Sequence, residues 1–263
     1  GLVNTTTWHH YIDPVDHRRR FIAYTDIGLA RSTDTGATWS WERHLGSNTY
    51  EMAFDPAIPG RIWAAFGLMH DVPNNNIVLM EQPQQGQGCV GFTDDGGLTW
   101  RGMNRGLPGY SEENKYDGDT MSSLAAGVQS IVVDPRSPKD SRTLYASIWE
   151  HGVYKSFDGG RNWVIKTAGV GAPGVNMRVC RLRLLPDGTL FVVVTGKKRG
   201  KELMTDGVGL YRSRDAGEHW EKITTGLTLR WLADFEIDPR DSRILYLGAC
   251  EDPVRGPEEA GLY

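Results

Sequence analysis

Ser32-Thr33-Asp34-Thr35-Gly36-Ala37-Thr38-Trp39 recurs as Thr93-Asp94-Asp95-Gly96-Gly97-Leu98-Thr99-Trp100, as Ser156-Phe157-Asp158-Gly159-Gly160-Arg161-Asn162-Trp163 and as Ser213-Arg214-Asp215-Ala216-Gly217-Glu218-His219-Trp220. All four copies read Ser/Thr-x-Asp-x-Gly-x-x-Trp, and their tryptophans stand 61, 63 and 57 residues apart. A fixed period of this size marks a repeat architecture, one supersecondary unit per period. The octet carries hairpin-turn chemistry. Ser, Thr and Asp side chains bond nearby backbone groups in turns, and Gly accepts a left-handed backbone. The closing Trp begins the next strand and offers a large ring to a neighbouring unit. The octet aspartates are therefore expected to be structural rather than catalytic.

The flanks repeat too. A short apolar strand precedes each octet: Gly28-Leu29-Ala30-Arg31, Cys89-Val90-Gly91-Phe92, Gly152-Val153-Tyr154-Lys155 and Gly209-Leu210-Tyr211-Arg212. Further upstream a strand ends in Asp-Pro, at Asp13-Pro14, Asp55-Pro56, Asp134-Pro135 and Asp238-Pro239; the fourth unit has Leu185-Pro186-Asp187-Gly188 instead. A second strand follows each of these turns. Each unit thus reads as four short strands, A to D, with turns after A and C and loops of varying length after B and D. No long helical period occurs.

Four-stranded units in series make an all-β fold, the β-propeller. The octets and their flanks resemble the Asp-box (BNR-repeat) propellers: sialidases, sortilin-type receptors and xyloglucan-cleaving glycoside hydrolases. The resemblance covers essentially the whole chain, and it implies fold more firmly than function, because this group holds enzymes and pure binders. The expected blades are residues 5–45, 48–105, 126–168, 176–226 and 230–263. Gly261-Leu262-Tyr263 matches Gly209-Leu210-Tyr211 with no fifth octet behind it. The expectation is therefore an incomplete piece of a larger ring, of roughly six to eight blades.

Apolar residues make up 39% of the 263 residues and aromatics 10%, as suits a globular all-β chain. The net charge of −4 argues against a nucleic-acid-coating surface, and no apolar stretch approaches membrane-spanning length. Cys89, Cys180 and Cys250 lack metal or redox spacing and read as buried free thiols. No metal site and no cofactor are read. The basic run Lys197-Lys198-Arg199-Gly200-Lys201 lacks phosphate-loop spacing and reads as a solvated loop tip.

The repeat also assigns faces. Alternating strand direction puts the A–B turns and octets on one face and the variable B–C and D–A loops on the other. Function is expected on the variable face. Its B–C loops carry Asp26, His70, Asp71, Trp149, Glu150 and His151. In strand A, the position four residues before the turn holds His9, Glu51, Ser130, Arg181 and Asp234 in equivalent register. Either these residues bond one another between blades, or they border a solvent-filled pocket.

Paired-carboxylate hydrolysis of a glycosidic bond makes Asp26, Glu51 and Asp234 the candidate acid, base or nucleophile. Candidate substrate contacts are His9, His70, Asp71, Trp149, Glu150, His151, Arg181 and Trp231. Phe21-Ile22-Ala23-Tyr24-Thr25-Asp26-Ile27-Gly28 resembles the first-blade motif of xyloglucan-cleaving hydrolases. That resemblance implies that Asp26 is one of two catalytic carboxylates, the other coming from a second propeller. Leu29 and Ala30 depart from the Gly and aromatic residue that continue the motif. A sialidase would need three converging arginines; Arg178 and Arg181 supply two, and no Arg-Ile-Pro signature is present. The expected partner is a polysaccharide or other glycan in an extracytoplasmic setting. The alternative is a non-catalytic scaffold that binds a glycan or a protein.

Overall fold

The computed structural model describes residues 5–42, 46–68, 88–111, 126–199, 202–250 and 260–263. No helix occurs among them. The first sheet runs β1 (Thr7–Ile12), β2 (Arg20–Tyr24), β3 (Leu29–Ser32), β4 (Ser40–Glu42), and the second β5 (Asn48–Phe54), β6 (Ile62–Gly67), β7 (Gly88–Thr93), β8 (Arg101–Gly102). The third contains β9 (Val128–Val133), β10 (Leu144–Ile148), β11 (Gly152–Ser156) and β12 (Val164–Ile165). The fourth joins β13 (Val179–Leu184), β14 (Leu190–Val194), β17 (Gly209–Ser213) and β18 (Glu221–Lys222). The loop after β14 forms a separate hairpin, β15 (Lys197–Arg199) with β16 (Glu202–Met204). A three-stranded sheet, β19 (Leu232–Ile237), β20 (Leu245–Ala249), β21 (Gly261–Leu262), completes the set. Sheets of up to four strands, each laid down in chain order from inner to outer strand, are the blades of a β-propeller.

The residues fall into two compact units. One holds the first two sheets and most of the third; the other holds the fourth and fifth sheets with residues 147–153. In the first unit Phe21, Leu29, Met52, Ile62, Ala64, Phe66, Cys89 and Trp100 form one core, with Phe66 edge-on to Trp100 at 5.3 Å. In the second, Val192, Val193 and Val194 are fully buried and Phe191 meets Phe235 at 6.2 Å. Burying a large apolar side chain contributes about 1.5–3 kcal/mol, so inner strands hold the sheets together. The outer strands β8, β12 and β18 are exposed and polar or short.

The octets form the turns that their composition implies. Ser32 Oγ donates to Asp34 Oδ1 at 2.7 Å and accepts the Gly36 N–H at 2.9 Å, while Asp34 Oδ1 accepts the Thr38 N–H at 2.9 Å. The same three bonds recur around Asp95, Asp158 and Asp215. The hydrogen bond from the Thr38 hydroxyl, then those from the Thr38 N–H and Ser32, hold the Asp34 carboxyl down to about 2. Two successive residues are left-handed in each copy: Thr35 and Gly36 at φ 62° and 91°, Gly96 and Gly97 at 76° and 85°, Gly159 and Gly160 at 74° and 92°, Ala216 and Gly217 at 60° and 87°. Trp163 Nε1 then donates to the Met103 carbonyl at 2.8 Å, and Trp220 Nε1 to that of Lys166 at 2.9 Å. Each bond ties an octet to the chain that leaves the preceding sheet.

On the octet side of the first unit, Asp55 of an Asp-Pro turn takes a two-pronged ion pair from Arg142, at 2.8 and 2.9 Å. Both side chains are buried. Cys89 and Cys180 are buried, and Cys250, just past β20, is half-buried. The run at 197–199 is not an irregular loop tip. It is the first strand of the β15–β16 hairpin, and Lys197 Nζ donates to Glu150 Oε2 at 3.4 Å. No helix among the described residues is long and apolar enough to cross a membrane.

Candidate functional site

The B–C turns carry the candidate carboxylates, and two of them share one backbone. Asp26 and Glu150 each lie two residues past the end of strand B, at φ 68° and 63°, and each is followed two residues later by a left-handed glycine, Gly28 or Gly152. Non-glycine residues in this region are strained by roughly 1–3 kcal/mol, so something must hold them.

At Asp26 the holder is Asn48, fully buried at the start of β5. Its Oδ1 accepts the Thr25 hydroxyl at 2.6 Å and the Asp26 N–H at 3.0 Å, and its Nδ2 donates to the Ser47 hydroxyl and the Gly67 carbonyl. The Gly28 N–H donates to the Ser47 carbonyl at 2.7 Å. The Asp26 side chain is exposed and accepts the Thr5 hydroxyl at 3.2 Å.

At Glu150 the side chain turns inward and is only 8% exposed. Arg178 Nε donates to its Oε1 at 2.7 Å, and Lys197 reaches Oε2. The Arg178 guanidinium is itself 2% exposed and lies 5.3 Å from the Trp149 ring centre. His151 is half-buried, and burial pushes its pKa below the usual 6.5 against the opposing pull of Glu150.

The strand-A residues occupy one register, and the reason is a repeated β-bulge. The register shifts immediately before His9, Glu51, Arg181 and Asp234, which sit opposite Ala23, Ala65, Val193 and Gly248. Members of the row meet one another across neighbouring sheets. The Ser130 hydroxyl donates to Glu51 Oε2, which also accepts the Ile131 N–H at 3.2 Å. Arg181 Nε lies 3.2 Å from Asp234 Oδ2, with Arg183 Nη2 3.8 Å from Oδ1. The His9 ring packs 5.5 Å from Tyr11.

The structure therefore brings together Glu51 with Ser130, Arg181 with Asp234, and Glu150 with Arg178. The two arginines of the sialidase expectation each face a carboxylate of their own. Trp149 and Trp231 are buried, at 5% and 4% exposure. His70 and Asp71 lie outside the described residues. Sequence reasoning missed Asn48; its one signal is an amide side chain at the first position of an inner strand. Arg178 was legible only as a cation, not as the partner of Glu150. Among the described residues no group of His, Cys, Asp or Glu is arranged to hold a metal ion.

Fold and turns together define a β-propeller with a repeated Ser/Thr-x-Asp-x-Gly-x-x-Trp turn. No protein-family model matches the chain. It is similar to a sialidase from Clostridium perfringens, at 27% identity over 252 residues, covering 86% of this chain and 60% of that protein. Among solved structures it is similar to an ancestral GH74 enzyme, with TM-score 0.67 and 24% identity over 96% of this chain and 30% of that one. It is also similar to YCF48 from Cyanidioschyzon merolae, with TM-score 0.56 and 11% identity over all of this chain and 72% of that one. The chain thus spans less than two thirds of the sialidase and of the GH74 enzyme, and the structural likenesses show the fold alone.

Proposed function

We propose that this chain is a glycan-engaging, glycoside hydrolase-like propeller module, and that Asp26 is a catalytic carboxylate whose partner lies outside the chain. The observation that carries the reading is the Asp26 turn. An exposed carboxylate stands on a strained backbone that a fully buried Asn48 holds in place. Strain maintained by a dedicated buried network is a mark of functional positions. In paired-carboxylate hydrolysis, one group protonates the glycosidic oxygen while the other activates water or attacks the sugar, about 5–10 Å away. Asp26, open to solvent, suits the group that activates water. Glu51 and Asp234, bonded to Ser130 and Arg181, brace neighbouring sheets in this reading. A polysaccharide substrate would place the protein outside the cytoplasm.

The test is reducing-sugar release from a panel of plant and microbial polysaccharides by this chain together with the propeller that supplies the second carboxylate, with binding followed by affinity electrophoresis. Asp26→Asn should lower release by roughly 100-fold or more at unchanged binding. Equal release from wild type and variant would remove Asp26 from the chemistry.

One observation favours a second reading, a non-catalytic binding scaffold: Glu51, Glu150, Arg178, Arg181 and Asp234 are all engaged within the protein. The YCF48 propeller, similar in fold, has a structure bound to a D1 peptide. Binding of a glycan or peptide with no sugar release from any polysaccharide would select that reading.

A further inference from the structure

Within the first unit, neighbouring sheets meet beside an octet in two places, and the two gaps are filled differently. Arg19 and Arg61 hold the same position in the repeat: their carbonyls accept the N–H of Asp13 and Asp55, at 3.0 and 2.9 Å. Two residues further on, Phe21 and Trp63 pair across with Arg31 and Phe92. Gly96 and Gly159 are the first left-handed glycines of the two octets concerned, at φ 76° and 74°.

The gap between the first and second sheets is closed. Asp13 holds the Arg19 guanidinium at 2.5 Å, and a Cβ on Gly96 would stand 2.7 Å from Arg19 Cζ. Arg31 Nε donates to the Gly96 carbonyl at 2.7 Å. The gap between the second and third sheets is open. Arg61 reaches instead to the A–B turn of the third sheet, where its Nη1 donates to the Lys139 carbonyl at 2.7 Å. Trp63 Nε1 makes the bond to the octet, donating to the Gly159 carbonyl at 2.9 Å. Among the described residues a Cβ on Gly159 would meet nothing within 4 Å. The room so released is a cleft of about 310 Å³, at the small end of the range of about 300–1,000 Å³ for small-molecule sites.

Five cations and three carboxylates line this cleft, and most of them are already matched. Arg142 is paired with Asp55, and Arg101 with Asp94 at 3.1 Å. The Asp158 carboxylate accepts the Ser156 hydroxyl and the backbone and side-chain N–H groups of Asn162. Arg61, Lys139 and Arg161 remain against Asp140. Arg61 comes no nearer to Asp55 than 3.8 Å, and its Nε is buried without an acceptor among the described residues, which is costly unless something supplies one. We propose that the cleft binds an acidic sugar residue, whose carboxylate sits among Arg61, Lys139 and Arg161 and whose ring rests on the floor of Trp63, Phe92 and Met103. Guanidinium groups present paired N–H donors that match the two oxygens of a carboxylate, and a bare inorganic anion would leave the apolar floor unused. The choice of a sugar rests on the glycan-engaging reading above; the requirement for an anion does not. The site lies on the octet side, away from the Asp26 turn.

The test titrates the whole chain with trigalacturonate, with the neutral trisaccharide maltotriose and with inorganic phosphate, by calorimetry at about 0.15 M salt. Trigalacturonate should bind saturably, and the other two at least about tenfold more weakly, or 1.4 kcal/mol. Lys139→Gln combined with Arg161→Gln should weaken the acidic sugar by about tenfold without moving the thermal unfolding midpoint, because both residues are exposed. No saturable binding at millimolar trigalacturonate would overturn the proposal. So would maltotriose or phosphate binding as tightly, or a double variant that binds as the parent does. Asp26→Asn should leave this binding intact. A chain without hydrolytic activity that still binds trigalacturonate therefore breaks the catalytic reading alone, and an active chain that ignores trigalacturonate breaks this one alone.

Discussion

Asp26 and Glu150 stand at the same place on two turns of the same form, and their surroundings are opposite. Asp26 points into solvent beside the Thr5 hydroxyl; Glu150 is buried between two cations. The backbone of a repeat is copied with the repeat, but the residues that arrive from neighbouring elements are not. Asn48 comes from the next sheet and fixes only the backbone of the Asp26 turn. Arg178 comes from the stretch before β13 and captures the Glu150 side chain itself. Repetition thus supplies a series of equivalent positions, and non-local neighbours decide which are chemically available.

The comparison breaks most readily at Arg178. Arg178→Met leaves Glu150 buried with only Lys197 nearby, and should cost about 3–5 kcal/mol in urea denaturation. Thr5→Ala, the corresponding change beside Asp26, should stay within about 0.5 kcal/mol. Similar losses in the two variants would show that the two carboxylates are held alike after all.

Asn48→Ala should cost about 1–3 kcal/mol, since it leaves buried Ser47, Thr25 and Gly67 groups without their partner. It should also speed hydrogen exchange at the Asp26 amide. Unchanged exchange would mean that the turn keeps its strained shape without Asn48. Asp26→Gly removes the left-handed penalty and should raise stability by up to about 1 kcal/mol. A clear loss would reveal a structural role for the exposed carboxylate.

The smallest expected effect is a pH dependence confined to the Glu150 turn. Ile27 occupies the place next to Asp26 that His151 occupies next to Glu150. Burial holds the folded-state pKa of His151 below 6.5, so the unfolded chain binds the extra proton first. The contribution is complete above about pH 6.5 and is lost as the pH falls from there through the lower folded-state value. His151→Ile should flatten that part of the curve of unfolding midpoint against pH. An identical slope in the variant would place the acid sensitivity elsewhere.

The fold was legible in the sequence because the octet's bonds are local. Ser32, Asp34, Gly36 and Thr38 satisfy one another within seven residues, so their spacing alone specifies the turn. The strand-A row was legible as a register, and the choice between bonding across sheets and lining a pocket stayed open until Glu51 met Ser130 and Arg181 met Asp234. The ties of Asn48 to Thr25 and of Arg178 to Glu150 span 23 and 28 residues. No periodicity encodes them, because each depends on which side chain the packing delivers. The same holds for Lys197, which read as one more solvated charge and instead sits on a hairpin over Glu150.

The bulge before His9, Glu51, Arg181 and Asp234 has an evolutionary consequence. Units that share a backbone could in principle be permuted or duplicated freely. Members of the row meet across adjoining units, and the pairs formed are unlike: acid with hydroxyl at Glu51 and Ser130, guanidinium with acid at Arg181 and Asp234. Setting Glu51 against an aspartate in the place of Ser130 would confine two negative charges where water cannot screen them. Gene duplication can therefore lengthen such a chain, but each new unit must carry a side chain compatible with both its neighbours, and the order of the units becomes heritable information in its own right.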